Sequence, residues 1–312
     1  MRTNRNYRVE LAVLGVLGAL VVFSLVMPQL LRERSVPQLL SLSVLLRDTD
    51  SSGWNVARQG MEQAADELGA ELRFLTLSEQ NSSAEQAEQL LREMDNGAEA
   101  LLVVPADPDV LHTSLLQRTK TCPIVTLESE MEGTVGTVAP DSALLGRQLA
   151  QTLLDDWQGG EVLLLDSAPG CTGVTARLAA AQKVLEAQGV PVQRAEGLPE
   201  EAGGVGWVIA FDPVATQAAA ERRESEQLPF VLYGVGSSTA IAAQMEKGNI
   251  AAVAAWSDYA AGYLAVRQAV EAAQREELQS LDPLAFSIVQ GEDIYAPENQ
   301  KLLFPIMSSS GR

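Results

Sequence analysis

The densest group of chemically capable side chains lies between residues 47 and 54. Here Arg47, Asp48, Thr49, Asp50, Ser51, Ser52 and Gly53 lead into Trp54. Two carboxylates, a guanidinium and several hydroxyls can hydrogen-bond a small polar molecule, and an indole can cover it. The stretch contains neither G-x-G-x-x-G nor G-x-x-x-x-G-K-[ST], so no phosphate cradle is indicated. The one histidine, His112, falls on a polar predicted helix with no nucleophile paired to it, which leaves triad chemistry unsupported. Cys122 and Cys171 make neither a metal spacing nor a disulfide framework, and no cofactor or metal is expected. Glu128, Ser129 and Glu130 follow an apolar run, and Arg177 falls within the first turn or two of a predicted helix.

The elements around these residues are periodic. Val44, Leu45 and Leu46 precede the polar turn, and Ala57, Met61, Ala64, Ala65 and Leu68 follow it at helical spacing. Strand, polar turn and helix make the first unit of a parallel α/β sheet, whose ligands bind beyond the carboxyl ends of the strands. The alternation continues with a strand at 72–77 and a helix from Ser82 or Ser83, where Glu85 or Gln86 completes a capping box. Strands are predicted at 101–104 and 124–127. Unbroken apolar runs of this kind suit strands covered on both faces. A second set of units begins at Asp141, with strands at 162–165, 207–210, 230–233 and 250–254. Residues 103–127 and 208–233 echo one another: an apolar strand, an Asp-Pro turn, a helix, a proline and another apolar strand, with 105 to 123 and 211 to 229 equally spaced. Two halves of similar design would face each other across a cleft.

With 312 residues the chain can build two lobes with separate cores. Residues 1–34 hold five arginines and two acids, so the remainder carries 17 bases and 39 acids, a net charge of −22. Such a surface repels phosphate backbones and argues against nucleic acid as a partner. Residues 11–31 are uncharged and largely aliphatic, long enough to cross a bilayer as a helix. Arg2, Arg5 and Arg8 before this run favour a cytoplasmic N-terminus. A cleaved signal peptide is the rival reading, but the run is long and no A-x-A-like site follows it. An uncleaved signal anchor is therefore expected, with the rest of the chain outside the cytoplasm.

Taken together, QGMEQAADELG, LLREMDNGAEALLVVPADPDVL, PIVTLESE, VAPDSALLGRQLA, GVGSSTAIAAQMEKGNIAAVAAW and IYAPENQKLLF resemble the type I periplasmic sugar-binding proteins, of the ribose- and galactose-binding kind. The resemblance spans roughly residues 40–305. It implies two Rossmann-like, doubly wound parallel-sheet lobes joined by three crossovers, closing over a sugar-like ligand. The expected lobes are 38–139 with 257–281, and 140–256 with 282–308, after a stub and anchor at 1–34. Carried over by position, Trp54 matches a ring-stacking aromatic, with Asp50 and Ser51 as polar contacts beside it. Arg47 and Asp48 share that turn. Glu128 stands where the family has a ligand-binding Asp, Arg177 matches a sugar-binding guanidinium, and Asp141 marks the first crossover. The second lobe departs from the pattern. Phe211-Asp212 replaces Asn-Asp, Gly236 replaces an Asp, Trp256 replaces the hinge Gln, and GLPEEAGGV stands where a helix is usual. The implied partners are an ABC permease or a sensor histidine kinase. The alternative is a degenerate binding fold that signals through a protein partner without a small ligand. An enzyme is not expected, because no acid/base pair or metal set is present in the sequence.

Overall fold

The computed structural model describes Phe23 and residues 39–116, 118–119 and 121–303. Their first sheet has five parallel strands, β1 (Leu40–Leu45), β2 (Ala70–Leu75), β3 (Ala100–Val103), β4 (Ile124–Leu127) and β5 (Gly136–Val138), in the order β2-β1-β3-β4-β5. Between them run α1 (Asn55–Leu68), α2 (Ser83–Asp95) and α3 (Pro108–Leu115). The side-chain period of two divides this sheet. Leu42, Val44, Leu102, Val104 and Val125 form one core, whereas Leu45, Leu101, Val103 and Ile124 face the other side, against Leu90 of α2 and Leu111 of α3. Both faces are covered, which explains the short unbroken apolar runs.

The second sheet begins after α4 (Ser142–Asp156). It comprises β6 (Val162–Leu165), β7 (Val192–Ala195), β8 (Trp207–Ala210), β9 (Val231–Val235), β10 (Ala252–Trp256) and β11 (Phe286–Gln290), in the order β11-β10-β9-β8-β6-β7. Only β11 is antiparallel, paired with β10. The connecting helices are α5 (Thr172–Ala187), α6 (Pro213–Glu226) and α7 (Thr239–Glu246), with α9 (Pro297–Leu303) after β11. The remaining helix, α8 (Asp258–Ala273), follows a strand of the second sheet yet packs on α1 and on β3, β4 and β5 of the first.

The chain thus passes between the sheets three times: from β5 into α4, from β10 into α8, and from α8 into β11. Pro140 and Leu284 bridge side by side in two of these passages. Packing of α8 on α1 is unusually close. A Cβ on Gly60 would lie 2.0 Å from the Tyr259 carbonyl oxygen, and one on Gly262 would lie 2.0 Å from that of Ala57. Only glycine admits this backbone-to-backbone approach.

The echoed segments became β3-α3-β4 and β8-α6-β9, and their Asp-Pro turns share one mechanism. Asp107 accepts from the amides of Asp109 and Val110, while Asp212 accepts from that of Ala215. Each aspartate caps a helix whose first residue is proline, which has no amide hydrogen to satisfy there.

Some local expectations fail. The second strand starts at Ala70 rather than 72, because Gly69 ends α1 in the left-handed conformation (φ 71°) and the chain extends at once. β10 runs to Trp256, two residues beyond the expected end. The capping box at α2 does not form. The Ser82 side chain makes no cap hydrogen bond, and Glu85 instead accepts from the Ser78 amide and hydroxyl at 2.9 and 2.7 Å. Gln86 reaches the β3–α3 turn, accepting from the Ala106 amide and donating to the Val104 carbonyl. Residues 11–31, the expected membrane span, lie outside the described residues apart from Phe23. Among the described residues no helix is long and apolar enough to cross a membrane.

Candidate functional site

Strand order reverses beside β1 in the first sheet and beside β6 in the second, the two points where a doubly wound sheet opens a crevice. A cavity of about 290 Å³ lies at the first of these points, beyond the carboxyl end of β1. Arg47, Asp48, Asp50 and Trp54 line one wall, and Val214, Gln217 and Glu221 of α6 line the other, with Ser237 and Ser238 after β9. Pro140, Trp256 and Asp258, from two of the crossovers, close the back.

The first wall is held by its own hydrogen bonds. Asp48 accepts from the Trp54 indole nitrogen at 2.6 Å through one oxygen and from the Gln80 amide at 2.6 Å through the other. This clamp fixes the indole, which is half-buried, at the cavity edge. Asp50 accepts from the Ser52 amide at 2.7 Å, a local turn whose hydrogen bonds, from the Ser52 side chain and then its amide, hold the carboxyl below its ordinary range.

Behind the wall sits a buried charge cluster. Arg47 donates to Glu128 Oε2 from Nε at 3.2 Å and to Asn81 from Nη1 at 2.9 Å. Arg177 Nη1 lies 3.5 Å from Glu128 Oε1 and donates to the Phe211 carbonyl at 3.0 Å, with its guanidinium 5.2 Å from the Trp256 ring. Arg47, Glu128 and Arg177 are 2%, 7% and 0% exposed, so one carboxylate serves two desolvated cations. Burial works to raise the Glu128 carboxyl, but Arg47 and then Arg177 overcome it and hold the group below its ordinary value. Burial likewise opposes the Arg47 charge, and Glu128 reverses that effect, leaving Arg47 above its ordinary value. Glu128 itself has φ 64°, a left-handed backbone that an L residue adopts only when its surroundings impose it. The imposition is visible: the Gly173 position has its absent Cβ 2.2 Å from the Glu128 carbonyl, and the adjacent Ser129 hydroxyl accepts from the Gly173 amide at 2.9 Å.

Asp258 is the third perturbed acid at the cavity, and the one shifted upward. Burial, with a smaller push from Glu128, raises its carboxyl to about 6, although the Ser237 hydroxyl donates to it. Of the charged residues lining the cavity, Asp48, Asp50, Glu128, Glu221 and Asp258 are acidic and Arg47 alone is basic. The arrangement therefore offers many acceptors, a few donors and two indoles. That set suits a ring bearing hydroxyls, whose hydrogens donate to carboxylates while its CH face lies against an indole.

The residues expected from sequence divide accordingly. Arg47, Asp48, Asp50, Trp54, Glu128 and Trp256 come together around the cavity. Ser51 does not line it, although its neighbours do. Arg177 stands behind Glu128 and orients it. Asp141 caps α4, accepting from the Leu144 amide at 2.8 Å, and is exposed away from the cavity. Phe211 turns its side chain into the core of the second lobe, at 0% exposure. Asp212 is consumed by the α6 cap and by the Ser167 hydroxyl. Sequence reasoning missed Gln80, Gln217, Glu221, Ser237, Ser238 and Asp258. For Asp258 a signal existed: it follows directly on the expected crossover at 256–257.

Two parallel-sheet lobes joined by three crossovers, with a cavity at the strands' carboxyl ends, define a solute-binding fold of the hinged, two-lobed kind. The chain belongs to the periplasmic binding protein domain family, whose model matches residues 42–277. Solved structures agree on the fold. A carbohydrate-transporter solute-binding protein from Agrobacterium radiobacter, in complex with D-arabinose, superposes with a TM-score of 0.75 at 15% identity, over 86% of this chain and 100% of that one. The Caulobacter myo-inositol binding protein gives 0.71 at 16%, over 86% and 99%. The periplasmic component of an ABC-type sugar transport system from Hahella chejuensis gives 0.71 at 20%, over 80% and 99%. None of the curated proteins matches this chain.

Proposed function

We propose that this chain is a membrane-anchored, extracytoplasmic binding protein that captures a small polyhydroxylated, sugar-like ligand between its lobes and does not transform it. The observation that carries the reading is the cavity walled by Trp54, Trp256 and a surplus of carboxylates. The ligands named for the similar structures, D-arabinose and myo-inositol, are rings of the same chemistry. Arg47, Asp48, Asp50, Trp54, Glu128 and Trp256 make the ligand contacts, with Arg177 positioning Glu128. The lobes are 38–139 with 257–281 and 140–256 with 282–308, hinged at 138–141, 256–257 and 281–284. Residues 11–31 hold the protein at the membrane, where it delivers ligand to an ABC permease or reports it to a sensor histidine kinase. The test is a screen of the purified full-length chain against sugars, polyols and nucleosides, by thermal shift and then calorimetry. Saturable binding with a raised Tm is expected for at least one polyhydroxylated ring. A folded protein that none of them stabilises would overturn the reading in favour of a ligand-free interaction protein.

A further inference from the structure

A second cavity, of about 390 Å³, adjoins the first and shares Arg47, Gln80, Val214 and Ala218 with it. Its origin lies in the connection from β7 to β8. The other parallel crossovers of this sheet, β6 to β7, β8 to β9 and β9 to β10, each carry a helix of 8 to 16 residues. Residues 196–206 cross with a single three-residue 3-10 turn, Ala202–Gly204. The sheet face beside β6 is therefore covered by a thin connector, and a hollow remains between it and α6. Leu165, Leu198, Val214, Ala215, Ala218 and Ala219 supply its apolar lining.

Apart from the exposed carboxylate of Glu196, the polar groups around this hollow are already engaged. Asp212 accepts from the Ala215 amide and the Ser167 hydroxyl. Arg222 donates to the Leu198 and Glu200 carbonyls at 3.0 and 2.7 Å and to Glu226. Asn81 accepts from Arg47 and donates to the Ser167 carbonyl. A sugar hydroxyl entering here would lose its water and find these partners taken. An alkyl or aryl group would lose nothing. The first cavity has five carboxylates on its lining and is the more polar of the two, so the pair together is amphipathic.

From this we infer that the ligand is bipartite: a hydroxylated ring seated against Trp54 and Trp256, bearing an apolar substituent that occupies the second cavity. The inference rests on the proposed function for its ring and goes beyond it in assigning the substituent. The ligand class is then glycosides, or ring polyols carrying an alkyl or aryl group, in place of free monosaccharides.

The experiment is calorimetry of the full-length chain with paired methyl and butyl glycosides of glucose, galactose, arabinose and ribose. Burying each added methylene should tighten binding roughly fourfold, so the butyl member of a bound pair should exceed the methyl member by at least about tenfold. Leu198→Trp, from the connector, and Ala215→Leu, from α6, both fill the second cavity without touching the first. Either should abolish the butyl advantage and leave methyl glycoside affinity unchanged. Equal or weaker binding of the butyl glycoside, with the methyl one bound, would overturn this inference and leave the proposed function standing. A butyl advantage that survives in both folded variants would also overturn it, because the chain would then lie elsewhere. If no glycoside of either series binds while a free sugar or polyol does, this inference falls and the proposed function stands.

Discussion

Replacing Glu128 by Gln keeps the side chain's length and its left-handed backbone and removes only the charge, which makes it the sharpest probe of the buried cluster. At an effective dielectric of 20, unit charges 3.2 and 3.5 Å apart attract by ~5 kcal/mol each. The variant would not lose all of this. Arg47 keeps Asn81 and the nearby Asp48, Arg177 keeps the Phe211 carbonyl and the Trp256 ring, and the glutamine oxygen still accepts. Deleting one partner of a buried pair costs about 3–5 kcal/mol, and that range is expected here. For a folded unit of this size it corresponds to roughly 6–20 °C in Tm. The assay is reversible denaturant unfolding of wild type and variant at pH 7, with calorimetric Tm as a second readout. Adding Arg177→Met should recover part of the loss, because it withdraws one of the two stranded cations. A Tm within 2 °C of wild type, or a double variant less stable than Glu128→Gln, would refute the account of Glu128 as shared counter-ion.

Trp54→Ala should weaken ligand binding by about 1.5–3 kcal/mol, a tenfold to hundredfold loss by calorimetry, and lower stability less than a core truncation would. Equal affinities with a folded variant would return the indole to a structural role. Because the folded-state value of Asp258 is raised from 3.8 to about 6, its contribution to stability is complete below 3.8 and fades as pH rises through about 6. Asp258→Asn should therefore flatten the dependence of Tm on pH between about 4 and 7, and an unchanged profile would remove Asp258 from that account. Glu128, held low, acts in the opposite sense, adding stability above its ordinary 4.5 that disappears in acid. Gly262→Ala would drive a methyl group into the Ala57 carbonyl and should cost about 1–3 kcal/mol by denaturant unfolding; a neutral result would show that α1 and α8 can separate freely.

How much of this was legible depended on whether a residue's neighbours were close in sequence. The turn from Arg47 to Trp54 announced itself because strand, polar cluster and helix are contiguous, and the Asp-Pro caps did so for the same reason. Gln217 and Glu221 gave no sign. They sit one turn apart on α6, where polar residues at that spacing read as a solvated face, and only the approach of the first lobe makes them part of a wall. Phe211 and Asp212 misled in the other direction. Their position after β8 is the one that ligand contacts occupy, yet the helix cap claims the carboxylate and the core claims the ring. The charge cluster joins residues 47, 128 and 177, and no local pattern reports a partnership over such separations.

The placement of α8 governs how the protein can be made. Ala261, Ala265, Val266 and Ala269 complete a core whose other members begin at Leu42, so the first lobe lacks one of its covering layers until more than two hundred later residues have been synthesised. A chain cut short before α8 would expose Val44, Leu102 and Val125 to water, and neither lobe can be expressed as one uninterrupted fragment. Assembly of the first lobe must wait for the second to be threaded through, which raises contact order and slows folding. The earliest sheet therefore cannot finish packing while the remainder of the chain is still emerging from synthesis.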